Sequence, residues 1–355
     1  MSIPDQSLSE KTSTTHRGLL SRATRSRAGF FLGVALLIGA GVYLFSAPDQ
    51  IQEFIGHIKS APLWAGLVVL VGPLVNWIFI GLCLHALMRR HGQVGRSEML
   101  ALVGSAWLLN HLPMRPGLIG RIGYHAKVNK IRVRDSIEAS IWSMILAGIA
   151  NGVALGMMMV VPEDTPIGMV VLYLLIPIAA FGLLTIIGFL RNERLGFLML
   201  GLMYRGGDLL VWMIRYAAAF AILGVTITPI QIALITAVSQ IAQLIPITGG
   251  GLGFREWGVG LAAQMTSKGS AITMRVAIGA DVINRIAETI IVIPLGMICI
   301  AMVARRVKVW NAENQRAHDG TVCPSGIARS MDGSGALGSS EDESGSHSDD
   351  EDQTR

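Results

Sequence analysis

Residues 245–256 read Ile245-Pro246-Ile247-Thr248-Gly249-Gly250-Gly251-Leu252-Gly253-Phe254-Arg255-Glu256, directly after an apolar run that begins at Ile230. Proline has no amide proton to give a helix interior, and glycine loses more freedom on ordering than any other residue. An apolar helix therefore breaks here, and a further apolar helix follows to Met265. The break ends in an arginine and a glutamate, two charges set between hydrophobic segments.

A second stretch has the same character. Met99 to Leu112 is apolar but short, and it ends in Leu112-Pro113-Met114-Arg115-Pro116-Gly117-Leu118-Ile119-Gly120-Arg121. Each break offers Leu/Ile-Pro, then Gly-Leu, then Gly and Arg within about ten residues.

The setting for both breaks is a membrane. Of the 355 residues, 52% are hydrophobic and only 15% charged, and the mean hydropathy is +0.53; water-soluble domains carry nearer 25% charge. Runs of about 20 apolar residues are long enough to cross a bilayer. Spans are expected at 28–46, 63–87, 136–161, 166–190, 207–225 and 275–303. The polar start before 28–46 is too long for a signal peptide and lacks a clear cleavage site, so the first span is expected to be retained.

Lysine and arginine cluster at Arg22–Arg27, Arg89–Arg96, Arg115–Arg134, Arg191–Arg205 and Arg305–Lys308, whereas the intervening loops 47–62, 162–166 and 226–229 are short and nearly free of them. Basic loops stay on the cytoplasmic side. This bias predicts a cytoplasmic N-terminus and tail in the plasma membrane, the inner membrane of a bacterium. The first broken segment then enters and leaves from the cytoplasmic side and the second from outside. The expected fold is all-α, a polytopic bundle of about six full spans plus two opposed re-entrant hairpins, an inverted repeat of the kind whose interrupted helices meet near the midplane in many transporters. The competing reading makes each Pro-Gly cluster a surface loop between ordinary helices.

Three regions follow: a basic cytoplasmic N-terminus (1–27), a transmembrane domain (28–305) and an acidic cytoplasmic tail (306–355). From Asn311 onward Ser, Gly, Asp and Glu dominate, a composition that buries too little apolar surface to fold and predicts disorder. The net charge of +5 sums a basic helical region and this tail. Nothing in it points to nucleic acid. Cys83, Cys299 and Cys323 have no ligand or disulfide spacing. No metal-binding, nucleotide-binding or hydrolytic motif is present, so neither cofactor nor catalysis is expected.

Charge inside hydrocarbon is the strongest pointer to function. Asp281, Asn284, Arg285 and Glu288 recur at helical spacing along one stripe of the last span. Arg285 lies about 15 Å deeper than Arg275 at 1.5 Å per residue. A charge at that depth costs at least about 2.5 kcal/mol and must meet a partner or water. Arg255 and Glu256 are the natural partners, in an intramembrane ionic network that is either structural or part of a substrate path.

Arg115 and Arg121 flank the first break with no acidic residue before Asp135. Guanidinium forks match phosphate oxygens, and helix N-termini starting after Gly117 and Gly253 add oriented amides, so an anionic, phosphate-bearing ligand is expected there. Ordinary positive-inside anchoring explains the same two arginines equally well. The candidate substrate-binding set is Arg115, Gly117, Arg121, Gly250, Gly251, Gly253, Arg255 and Glu256. Weaker candidates are His111 and His125 as interfacial groups, Asp208 and Arg215 as an intramembrane or interfacial pair, and Asn76 and Asn151 as interhelical hydrogen-bonding groups.

Pro246 to Glu256 resembles the Pro-x-x-Gly-Gly-Leu-Gly-x-Arg-Glu signature of the flippase-like membrane domain shared with lysylphosphatidylglycerol synthases. Asn110 to Arg121 is similar to that family's first motif, and Asn284-Arg285 to its late Tyr/Asn-Arg element. The resemblance covers about residues 65–305. Two departures stand out: Ile119-Gly120 replaces an acidic residue of the first motif, and 249–251 adds a glycine. No soluble synthase domain follows the last helix. The resemblance implies translocation of a phosphate-bearing lipid or polyprenyl-linked headgroup without synthesis. Alternatives are an ion-coupled transporter of a soluble anion, or an accessory subunit holding a lipid-modifying enzyme or glycosyltransferase.

Overall fold

A computed structural model describes residues 31–46, 48–112, 115–244, 249–266 and 272–318. All regular structure among them is helical: α1 (Phe31–Phe45), α2 (Pro48–Lys59), α3 (Leu63–Met88), α4 (Arg96–Leu109), α5 (Pro116–Lys127), α6 (Val133–Met158), α7 (Ile167–Arg191), α8 (Glu193–Ile222), α9 (Pro229–Leu244), a 3₁₀ turn at Gly249–Gly251, α10 (Phe254–Thr266) and α11 (Met274–His318). The chain divides into two units, Met1–Trp310 and Asn311–Arg355. The described part of the second is only the end of α11.

Five of these helices, α3, α6, α7, α8 and α11, are long and apolar enough to cross a membrane. They fall on five of the six expected spans, and the sixth, 28–46, is not confirmed. α1 is a shorter apolar helix of the described residues 31–45, and residues 28–30 of the expected first span lie outside the description. The expected basic loop at 191–205 is not a loop. α7 runs to Arg191, Asn192 alone links it to α8, and Arg194 and Arg205 are helical. The Asn192 side chain accepts from the Arg194 amide at 2.8 Å, capping α8 at its first turn. The two helices cross where Gly188 and Gly196 nearly touch; a Cβ at Gly188 would lie 3.0 Å from the Gly196 Cα. The loop expected at 47–62 contains α2. The tail expected from 306 begins as helix, because residues 311–318 carry no helix breaker and α11 continues through them. Residues 1–27 and 319–355, where the remaining tail expectations fall, lie outside the description.

α8 is the hub, packing along α3 and α7 and touching α6 and α9. Small residues permit the α3–α8 approach: Gly72 leaves room for the Arg215 side chain and Gly207 for Phe79. The interior holds Trp212, Tyr216 and Phe220 of α8 with Val69, Ile235 and Val259. The polarity of the surface is inverted relative to a soluble protein. Leu190 of α7 is 82% exposed and Met297 of α11 61%, whereas Arg215, Glu256 and Asp281 are all 0% exposed. Apolar side chains outside and charges inside is the arrangement a lipid solvent selects. Arg275 and Arg306 bracket α11 about 46 Å apart at 1.5 Å per residue, close to the full thickness of a bilayer with its headgroups.

Candidate functional site

α10 begins at the end of the second break, and its first turn sets Arg255 and Glu256 against α11. The break itself needs glycine. Gly250, Gly251 and Gly253 have φ of +62°, +74° and +80°, a region costly for residues with a Cβ. At Gly253 a Cβ would also lie 2.3 Å from the Leu36 Cβ and 2.7 Å from the Gly33 carbonyl oxygen, so the turn is pressed against α1. Trp257 reinforces that contact by donating to the Leu36 carbonyl at 3.0 Å.

Arg255 donates through Nε to both oxygens of Asp281, at 2.8 and 3.1 Å, and through Nη1 to Glu288 at 3.1 Å. Asp281 also accepts from the Tyr216 hydroxyl at 2.6 Å, and Glu288 from the Trp107 indole at 3.2 Å. Four helices, α4, α8, α10 and α11, therefore meet on one arginine and its two carboxylates. Arg285 Nε stands 2.6 Å from Glu256 Oε1. The N–H does not aim along that contact, and both Glu256 carboxylate oxygens are left without a hydrogen-bond donor. Arg285 Nη2 reaches back to the Gly250 carbonyl at 3.3 Å, tying α11 to the glycine turn.

A second polar layer lies behind the first. Arg215 Nη1 donates to Asn76 Oδ1 at 3.0 Å and Nη2 to the Asn284 carbonyl at 3.4 Å. Asn76 Nδ2 donates to Asp208 at 2.7 Å, and Arg205 Nη1 donates to the same carboxylate at 3.1 Å. Asp208 and Arg215 are thus joined through Asn76, and the direct ion pair belongs to Arg205. The Trp212 ring lies under both inner arginines, 4.2 Å from Arg215 and 5.5 Å from Arg255. Four arginines (205, 215, 255, 285) face four carboxylates (208, 256, 281, 288). This interior balances its own charge.

The first break behaves differently. Arg115, in the left-handed conformation at φ +49°, precedes Pro116 at the start of α5. Its Nη2 donates to the Gln243 carbonyl in the last turn of α9, so the first break reaches the helix that leads into the second. Asn110 spans the first break, accepting from the Leu118 amide at 3.2 Å. Gly117 is a packing position: a Cβ there would lie 2.2 Å from the Ala106 carbonyl oxygen, which seats α5 directly on α4. Arg121 donates to Ser140 of α6 at 2.8 Å, away from the α10–α11 network.

The structure therefore brings Arg255, Glu256, Asp281, Arg285 and Glu288 together, with Gly250 accepting from Arg285 and the Asn284 carbonyl accepting from Arg215. It places Arg115 against the last turn of α9, Gly251 in the glycine turn, and Arg121 on a separate face.

No family model, curated protein or solved structure matches the chain.

Sequence reasoning missed Arg205, Tyr216, Trp107 and Trp212. Arg205 was hidden by its basic neighbours, which read as a loop. The three aromatic residues carried no signal beyond ordinary apolar patterning. His125 is 1% exposed, and His111 holds the Trp107 carbonyl at 3.0 Å through Nδ1. Asn151 donates to Gln240 of α9 at 3.1 Å. Among the described residues no group of three or more His, Cys, Asp or Glu is placed to hold a metal ion.

Proposed function

We propose that the chain is a non-enzymatic membrane transporter that moves a phosphate-bearing lipid or polyprenyl-linked headgroup between leaflets. In this reading α4–α5 and α9–α10 are re-entrant hairpins entering from opposite faces, and both termini lie in the cytoplasm. The observation that carries it is the contact of Arg115, at the first break, with the Gln243 carbonyl in the last turn of α9, the helix that precedes the second break, beside a charged interior whose Arg255 and Glu256 follow that break. Interrupted helices that converge inside a bundle expose oriented backbone groups where a polar cargo has to pass. Lysine and arginine clusters set the orientation, and the likeness of 246–256 to the flippase-like signature agrees with the cargo class.

Arg115 and Arg121 are the phosphate-binding groups of this reading, because guanidinium forks match phosphate oxygens. The test is headgroup accessibility in proteoliposomes containing the wild-type chain, Arg115→Ala or Arg121→Ala. Transfer falls in both variants if the arginines lie on the path. Wild-type rates in both would remove them from the mechanism, and no transfer by the wild type would remove the function.

One observation favours a second reading, an ion-coupled transporter of a soluble anion. Glu256 is 0% exposed, yet its carboxylate oxygens lack a hydrogen-bond donor; a bound proton would let the group donate instead of only accepting. Anion uptake that follows a pH gradient and stops in Glu256→Gln would support this reading over the first.

A further inference from the structure

Two basic stretches, 127–134 and 305–308, are brought to one corner of the bundle by a tryptophan. Lys127 at the end of α5 and Lys130 in the turn to α6 each place an ammonium nitrogen 5.3 Å from the centroid of the Trp310 ring on α11. A cation within about 6 Å of an indole face is attracted by the ring quadrupole, so one side chain gathers both lysines. Lys130 has the left-handed φ of +56°, a conformation that a residue with a Cβ enters at a cost. One turn back along α11, Arg306 pairs with Glu98 at 3.3 Å and donates to Ser97 at 3.3 Å, which ties this part of α11 to α4 as well.

The corner differs from the interior in its charge balance. Lys127, Lys130, Arg132, Arg134, Arg305 and Lys308 are all exposed. Among the described residues none of the six pairs with a carboxylate. No acidic residue stands within 127–134 or 305–310. Like charges held together repel one another until a counter-charge arrives.

The level of the corner identifies that counter-charge. On α6 the exposed apolar side chains Ile137 and Ile141 follow Arg134 within two turns, and on α11 the exposed Ile298 and Met302 precede Arg305 within two turns. At 1.5 Å per residue the nearest cations lie about 5 Å beyond this lipid-facing belt, the level of the headgroups. Clusters of about four to eight lysines and arginines beside a membrane helix attract anionic lipid, and indole rings settle at the same depth. The six cations lie on an open surface, which suits a leaflet better than one small soluble anion.

We propose that the α5–α6 corner and the adjoining part of α11 form a docking surface for anionic lipid headgroups, with Lys127 and Lys130, gathered on Trp310, at its centre. The surface goes beyond the transport reading and takes from it only the side of the membrane, the cytoplasmic leaflet.

The test is lipid titration of the full chain in neutral detergent, read by native mass spectrometry, with phosphatidylglycerol, phosphatidylcholine and free glycerol 3-phosphate as probes. Phosphatidylglycerol should be retained above phosphatidylcholine. The pair Lys127→Gln and Lys130→Gln together should weaken phosphatidylglycerol by about fivefold for each charge removed and leave phosphatidylcholine unchanged. Arg132→Gln with Arg134→Gln, on the same corner, should follow. Arg191→Gln with Arg194→Gln removes two exposed cations from the α7–α8 corner and should change retention less than about twofold, a small fraction of the per-charge effect. Wild-type retention in both variants of the α5–α6 corner, or an equal loss in the α7–α8 variant, overturns the surface. Glycerol 3-phosphate held as tightly as the lipid overturns the leaflet as its partner. Selective retention by a chain that translocates nothing would leave this surface standing and remove the transport reading, whereas translocation by a chain without lipid preference would do the opposite.

Discussion

The guanidinium of Arg255 and the carboxylate of Asp281 face each other across the α10–α11 contact with two N–O distances of 2.8 and 3.1 Å, and they are 1% and 0% exposed. Taking one charge away strands the other in a dry interior, a loss of about 3–5 kcal/mol. Arg255→Met is therefore expected to lower the melting temperature in detergent more than Asp281→Asn, because the arginine also neutralises Glu288. The double variant should melt above the sum of the two single losses. Strict additivity would show that the pair is not coupled.

The glycine turn separates strain from space. Gly250→Ala meets no atom within 4 Å and suffers only its positive φ, whereas Gly253→Ala also collides with α1. A strained backbone conformation costs about 1–3 kcal/mol, and the collision adds to it. Thermal unfolding of the two variants should rank Gly253→Ala clearly below Gly250→Ala; equal melting temperatures would mean that the α1 contact yields freely.

Asn76 is the only side chain that bonds both Asp208 and Arg215 among the contacts described above. Asn76→Leu leaves two buried charged groups each short of a partner, at about 1–3 kcal/mol apiece. A marked drop in folded yield and melting temperature is expected. Gly72→Ala should follow the same direction, because its Cβ would sit 2.5 Å from the Arg215 Cγ and Cδ; a neutral outcome in both would show that Arg215 has another place to go.

His125 lies at the end of α5, outside the five long apolar helices. Burial, with the nearby Arg121 charge, pushes its imidazole down from about 6.5 to about 4. Between those values the unfolded chain holds a proton that the folded chain does not, so stability falls as pH drops from about 6.5 toward 4 and is unaffected by this group above neutrality. His125→Gln should flatten that slope in pH-dependent melting curves. An unchanged slope would assign the acid sensitivity elsewhere.

Single cysteines at positions 120 and 250, where an added Cβ finds open space, test the opposed hairpins in a background without the native cysteines. Membrane-impermeant reagent is expected to reach position 120 from the cytoplasmic side and position 250 from the other. Labelling of both from one compartment would end the inverted-repeat architecture.

Composition and periodicity alone were enough for the helical class and for most of the long apolar helices, because about 20 hydrophobic residues in a row have few other stable solutions. The stripe Asp281, Asn284, Arg285 and Glu288 was legible for the same local reason, since i, i+3 and i+4 spacing fixes a common helix face. Which residues answer that stripe was not local. Arg205 looked like part of a cytoplasmic loop because charge near a helix end is read as interfacial; its carboxylate partner Asp208 lies one turn on along α8 itself, and only the packing of α6 on α8 adds the Ser143 hydroxyl. The same holds for Gly117, which seats α5 on α4, and for Arg115, whose reach to Gln243 joins segments more than a hundred residues apart. Sequence spacing reports neighbours along one helix. Neutralisation of a buried charge such as Arg255, and the gathering of Lys127 and Lys130 on Trp310, depend on neighbours across helices, and only tertiary packing chooses those.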